Sequence, residues 1–110
     1  MPANPEAIAR TKELLKQLWE QHKPTVFERL EVLERVSADV LKMDAAALEE
    51  ARSAAHKLAG ALGTFGLQQA TDWARDSEQI FIKGNLDSAD QARLMENARN
   101  IRELLENQKA

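Results

Sequence analysis

Ala55-His56-Lys57-Leu58-Ala59-Gly60-Ala61-Leu62-Gly63-Thr64-Phe65-Gly66 sets a histidine among small and apolar residues, with glycines four, seven and ten positions after it. Apolar residues at 48, 51, 55, 58, 62 and 65 recur in a 3-4-3-4-3 rhythm, which makes this stretch one amphipathic helix with a single buried seam. At about 100° per residue, His56 falls just off that seam on the solvent side, and Gly60 and Gly63 lie within about 40° of it. A glycine inside a helix costs roughly 0.5–1 kcal/mol against alanine. Two of them beside one histidine imply that something large must approach its imidazole.

The same residues carry a resemblance. His56-Lys57-Leu58-Ala59-Gly60 followed by Phe65-Gly66-Leu67 resembles the signature of histidine-containing phosphotransfer (HPt) domains of phosphorelays. Leu67-Gln68-Gln69-Ala70-Thr71-Asp72-Trp73-Ala74-Arg75-Asp76-Ser77-Glu78 continues it without a gap, like the family's second signature helix with its Ala-Arg-x-x-Glu tail. Strong similarity thus spans residues 51–81. The resemblance implies that His56 accepts a phosphoryl group, that Gly60 clears space beside it, and that Glu78 faces it from the next helix, where it would take the Nδ1 proton and leave Nε2 as nucleophile. It implies partners that are response-regulator receiver domains or a hybrid histidine kinase. The partner receiver would supply the aspartate and Mg²⁺, and this chain would hold no cofactor or metal of its own. The family often carries lysine three residues after the histidine; here Ala59 stands there and Lys57 follows the histidine directly.

For the phosphoryl chemistry that the resemblance implies, the helical wheel places the neighbours of His56. Arg52 and Ser53, at i−4 and i−3, share the face of His56 and could bond or neutralise a phosphoryl group. Lys57 lies about 100° away and reaches the site only if its stem bends back. With no lysine at 59, Arg52 or Lys57 is expected to supply the positive charge. His56 would be exposed near the middle of its helix. His22 falls on the apolar side of its own helix and reads as a partly buried packing residue. Asp72, Asp76 and Glu78 cluster in sequence without a base or nucleophile beside them to support catalysis. Trp19, Phe27, Phe65, Trp73 and Phe81 read as core or near-core.

Around this centre the chain is helical throughout. Pro5 suits a first helical turn, and Ile8, Leu15, Leu18 and His22 trace a stripe after it. Pro24 either kinks one long helix or starts a second. Val26, Leu30, Leu33, Val36 and Val40 then recur at threes and fours, ending near 41–43, and Asp44 is an N-cap candidate. The signature helices run over about 45–64 and 67–83, with Gly66 as a left-handed C′ residue and Lys83-Gly84 as a stop. Ser88-Ala89-Asp90-Gln91 reads as a capping box opening a last helix whose stripe is Leu94, Ala98, Ile101 and Leu105. Short loops make consecutive helices antiparallel. The expected fold is therefore all-α: an antiparallel up-down-up-down four-helix bundle with an N-terminal helical extension, forming one domain over 1–110.

Composition bounds the rest. The chain has 110 residues, 30% charged and 44% hydrophobic, enough for one core and not two. A net charge of −3 argues against a nucleic-acid footprint. No apolar stretch approaches the roughly 20 residues a membrane span needs. Absence of cysteine weakly favours a reducing compartment, and the start Met1-Pro2-Ala3-Asn4-Pro5-Glu6 carries no secretory pattern, so a free-standing monomer in the cytoplasm is expected. Two histidines without a Glu-x-x-His pair do not make a bundle metal site, and no P-loop or kinase glycine loop is present. The expected function is a phosphoryl carrier, not an enzyme, taking phosphate onto His56 from one receiver aspartate and passing it to another. The alternatives are a non-catalytic docking module that binds a receiver or kinase, and the phosphoacceptor segment of a chemotaxis-type histidine kinase.

Overall fold

A computed structural model describes residues 4–108. Four helices follow in order: α1, Pro5–Asp39; α2, Ala45–Thr64; α3, Gln68–Lys83; and α4, Ser88–Glu106, with one 3-10 turn, Val40–Lys42, after α1. Each packs on its two neighbours in a ring, α1 on α2, α2 on α3, α3 on α4 and α4 back on α1. The α2–α3 pair is the most extensively packed of these, and it carries the signature segment. The core is a column of Leu30, Leu33, Leu58, Leu62, Leu94, Ile101 and Leu105, with Ala51, Ala55, Ala70 and Ala74 where helices approach most closely. Small residues at these crossings let α2 and α3 come together.

The helix ends follow from local chemistry. Asn4 caps α1 by accepting from the Glu6 N–H at 2.8 Å, with Pro5 in the first turn. Asp44 caps α2 by accepting from the Ala47 N–H at 2.9 Å. At the far end of α2 the Leu67 N–H reaches the Leu62 carbonyl at 3.1 Å and the Gly66 N–H reaches that of Gly63 at 3.0 Å. Gly66 takes φ +71°, so this is a Schellman stop that only a residue without Cβ adopts freely.

Three readings of the sequence are decided or changed by the structure. Of the two for Pro24, one long helix stands and a second start does not, because α1 runs through it. Pro24 is exposed, so the carbonyl one turn earlier that loses its donor lies on the wet side, while Trp19 and Val26 hold the helix to the bundle on either side. The N-terminal extension is therefore the first half of α1, and Ile8, Leu15, Leu18 and His22 are all exposed rather than packed. The bundle ends at Phe65, Leu67 and Gln108, and α1 projects past it, giving overall dimensions of 53 × 25 × 21 Å. Of the aromatic residues read as core, Trp19 and Phe81 are buried, and Phe27, Phe65 and Trp73 pack half-buried against them.

The third change concerns α4. Its N-cap is Asp87, not Ser88, and the box closes on Asp90, not Gln91: Asp87 accepts from the Asp90 N–H at 2.9 Å while the Asp90 carboxylate accepts from the Asp87 N–H at 3.0 Å. Lys83, at the end of α3, also reaches both Asp90 oxygens at 2.9 Å. That bond first, and the Asp87 N–H second, hold the Asp90 carboxyl below its ordinary value. A lowered carboxyl stabilises the fold above the ordinary value and stops doing so as pH falls through the lowered one. Acidification below about pH 3.8 should therefore loosen the α3–α4 junction, seen as faster amide exchange there. Asp87→Ala should lower stability by about 1 kcal/mol, a fall of roughly 4–8 °C in melting temperature by calorimetry.

At the other side of the ring, Arg102 of α4 grips Glu34 of α1 through two bonds, Nε–Oε2 at 2.7 Å and Nη2–Oε1 at 2.8 Å. Its guanidinium stands 5.7 Å over the Phe27 ring. Gln91 donates to the Ala38 carbonyl at 2.8 Å, satisfying the end of α1. These contacts fix α1 against α4.

Candidate functional site

His56 sits in the middle of α2, with 69% of its side chain exposed. The neighbouring seam residues Ala55, Leu58 and Ala59 are buried, which anchors the helix turn that presents the ring. From α3, Glu78 comes up beside it, and Glu78 Oε2 lies 2.9 Å from His56 Nδ1. An ionised carboxylate only accepts, so this bond places the ring proton on Nδ1 and leaves the Nε2 lone pair free. Glu78 is itself only 13% exposed, so it approaches the ring from a fixed, largely covered position.

Arg52, one turn before His56, stands behind Glu78. Its Nη1 lies 3.3 Å from the same Glu78 Oε2, while Nε and Nη2 hold Glu49 at 3.0 and 2.7 Å. The guanidinium of Arg52 is held above its ordinary range chiefly by Glu49, and Glu49 in turn is held below the usual carboxylate range by Arg52. The four side chains form one line, Glu49–Arg52–Glu78–His56. Arg52 thus meets the carboxylate that orients the ring, a different contact from the expected one with a phosphoryl group. Glu49 escaped the sequence reading, although its i,i+3 spacing to Arg52 is an ion-pair signal in any helix.

Ser53 and Lys57 lie on the other side of the α2 face. They line a groove between α1 and α2 with Arg29, Val32, Glu50 and Ala54. Arg29 Nη1 reaches the Lys57 carbonyl at 3.4 Å. His56 therefore stands between two kinds of neighbour, the ion-paired line toward α3 and a looser groove toward α1.

The two glycines differ. At Gly60 an added Cβ would meet nothing within 4 Å, so packing inside this chain does not require a glycine there. At Gly63 it would stand 3.8 Å from Thr71 Cγ2 of α3, in ordinary contact. Both glycines are exposed, but Gly63 borders the α2–α3 seam, while the space beside Gly60 is open. Ala59, in place of the family's lysine, is 3% exposed and serves packing.

The other sequence candidates separate. Asp72 accepts from Gln68 at 2.7 Å, and Asp76 binds Arg93 at 2.7 Å and Asn97 at 2.8 Å, so neither joins Glu78. His22 is exposed, its ring 5.9 Å from that of Phe65, and it lies outside the Glu49–His56 line. The partly buried position expected for it does not hold, since His22 lies exposed on the half of α1 that projects from the bundle.

This geometry offers one solvent-facing imidazole nitrogen, oriented by a carboxylate and bordered by bare helix. It can accept or donate a group at Nε2. A family model, the Hpt domain, matches residues 17–110. Searches of curated proteins and of solved structures found no match. With all of α2, α3 and α4 and most of α1 inside the matched region, the chain belongs to the Hpt domain family, the histidine phosphotransfer modules of two-component signalling.

Proposed function

We propose that this protein is a phosphorelay carrier in which His56 takes a phosphoryl group from a receiver-domain aspartate and passes it to the aspartate of another. The observation that carries this reading is the exposed His56 ring with its Nδ1 bonded to Glu78 at 2.9 Å. In the forward step the Nε2 lone pair forms an N–P bond as the bond from phosphorus to the partner's aspartyl oxygen breaks. Positive charge developing on the ring spreads to Nδ1–H, where Glu78 stabilises it. Such a loose transition state asks mainly for positioning and charge stabilisation, and Mg²⁺ on the receiver would supply the remaining charge. The return step reverses these bonds. The carrier works as a monomer, in the cytoplasm with its receivers, and has no need of ATP.

Incubation with a phosphorylated receiver tests this. Label should move to the chain and there be lost in acid and retained in base, as a phosphoramidate is, whereas an acyl phosphate is lost in base. A chain that binds the receiver but never takes label would be a docking module instead. Glu78→Ala should slow transfer roughly tenfold, the scale of one hydrogen bond to a charged group. Arg52→Ala should slow it by a smaller factor, since Arg52 acts through Glu78 and is partly exposed. Lys57→Ala, measured alone and with Arg52→Ala, decides where the cation comes from. Unchanged rates in both variants and in the double variant would place it on the partner.

A further inference from the structure

The first turns of α1 carry a surface that the phosphotransfer reading leaves unused. Residues 5–16 precede the region matched by the family model. Within this projecting half of α1, Ile8, Leu14, Leu15 and Leu18 are 42%, 56%, 50% and 37% exposed, the densest grouping of exposed large apolar side chains among the described residues. On a helical wheel Ile8 and Leu15 continue the face that Trp19, Val26 and Leu30 turn to the core, and Leu14 and Leu18 widen it to one side. Where this face leaves the bundle it borders a groove of about 490 Å³ lined by Leu15, Trp19, Phe65, Leu67 and Gln108. Trp19 and Phe65 meet edge to face at 5.2 Å.

The charge around this face is ordered. Lys12 and Lys16 stand on the rim of the groove, and Arg10 borders the apolar face on its other flank. Glu6, Glu13 and Glu20 recur every seventh residue on the side turned away. Among the described residues, neither Lys12 nor Lys16 has a carboxylate within ion-pair distance. Among the described residues, a protein of net charge −3 thus keeps cations without an ion-pair partner on both sides of its exposed apolar stripe.

We infer that this face docks an amphipathic helix of a partner protein whose apolar side is bordered by carboxylates. Such a helix would lie along α1 for about three turns, roughly 16 Å at 1.5 Å per residue. It would place apolar side chains over Trp19, Phe65 and Leu67 and acidic ones against Lys12, Lys16 and Arg10. A second copy of this chain does not fit, because two antiparallel α1 segments related by a two-fold axis would set Lys12 and Lys16 against their own equivalents. A flat anionic bilayer fits less well than a helix, since the site is concave, its tryptophan is 7% exposed, and the protein is acidic overall. The groove lies at the end of the bundle, and none of its residues belongs to the Glu49–His56 line.

The test uses the full chain and an 18-residue fluorescent helical peptide with leucines at i, i+3, i+4 and i+7 flanked by glutamates, against the same peptide flanked by lysines. Anisotropy should show the glutamate peptide binding at least tenfold more tightly than the lysine peptide. Lys12→Glu/Lys16→Glu should invert that preference, and Leu15→Gln/Leu18→Gln should weaken binding at least tenfold with an unchanged melting temperature. Phosphate acceptance by His56 should be the same in every variant, so failure here is distinct from failure of the carrier role. Equal binding of the two peptides, or no binding of the glutamate peptide at 100 µM, would overturn the proposal. So would tighter binding to phosphatidylglycerol vesicles, or concentration-dependent self-association in sedimentation that Leu15→Gln/Leu18→Gln abolishes.

Discussion

Replacing His56 by glutamine is expected to abolish phosphate acceptance from a phosphorylated receiver while leaving the fold intact. The chemistry permits no substitute. Glutamine is close in size and its amide can still meet Glu78, but amide nitrogen has no basic lone pair with which to form an N–P bond. Nothing nearby takes over, because Ser53 faces the α1–α2 groove with Lys57, and the remaining partners of the line are two carboxylates and a guanidinium. The structural cost is small. With 69% of the side chain exposed, the ring contributes little packing, and a change of this kind stays within about 0.5 kcal/mol. Thermal melts should therefore nearly overlay while label falls below detection. His22→Gln is the matched control, since that exposed ring lies outside the Glu49–His56 line and should leave acceptance unchanged. Label that persists in the first variant and disappears in the second would reassign the acceptor.

The sequence made some of this readable and hid the rest for identifiable reasons. Helix α2 is bounded as read, at Ala45–Thr64, because both ends carry chemistry that admits few alternatives: an aspartate with its side chain on the third N–H, and a glycine at positive φ. The buried seam through Ala51, Ala55, Leu58 and Leu62 follows from spacing alone. The pairing of His56 with Glu78 did not follow from spacing, since 22 residues and a turn separate them; only the resemblance pointed to it. At the start of α4, Asp87 and Ser88 are both good N-caps, and the choice was settled by Asp90, whose carboxylate reaches back to the Asp87 N–H and is also held by Lys83 of α3. The stripe Ile8, Leu15, Leu18 and His22 shows the limit of periodicity. It tells which face of a helix is apolar, and it cannot tell whether another helix extends far enough to cover that face.

Placing a large side chain at residue 60 should block transfer in a protein that is at least as stable as the original. Gly60→Arg and Gly60→Glu both replace the poorest non-proline helix former with a good one, worth roughly 0.5–1 kcal/mol in an exposed interior position. Nothing within the chain opposes the change, because even a Cβ there meets no atom within 4 Å. Melting temperature should rise by a few degrees and helicity by circular dichroism should hold or increase. The side chain then stands one turn beyond His56 on the same exposed face, in the space a receiver needs to bring its aspartyl phosphate to Nε2. A near-attack approach of about 3–3.5 Å leaves no room for such an obstruction, and misplacement by about 1 Å already costs on the order of a hundredfold. Transfer should therefore fall by a hundredfold or more with both variants, which separates bulk from charge, since arginine and glutamate carry opposite signs. Gly63→Ala is the internal comparison. Its Cβ would rest in ordinary contact with Thr71 at 3.8 Å, and it should retain transfer within a few-fold. Normal rates in a folded Gly60→Arg protein would show that the partner approaches His56 from elsewhere, and that the bare strip on α2 is not its landing surface.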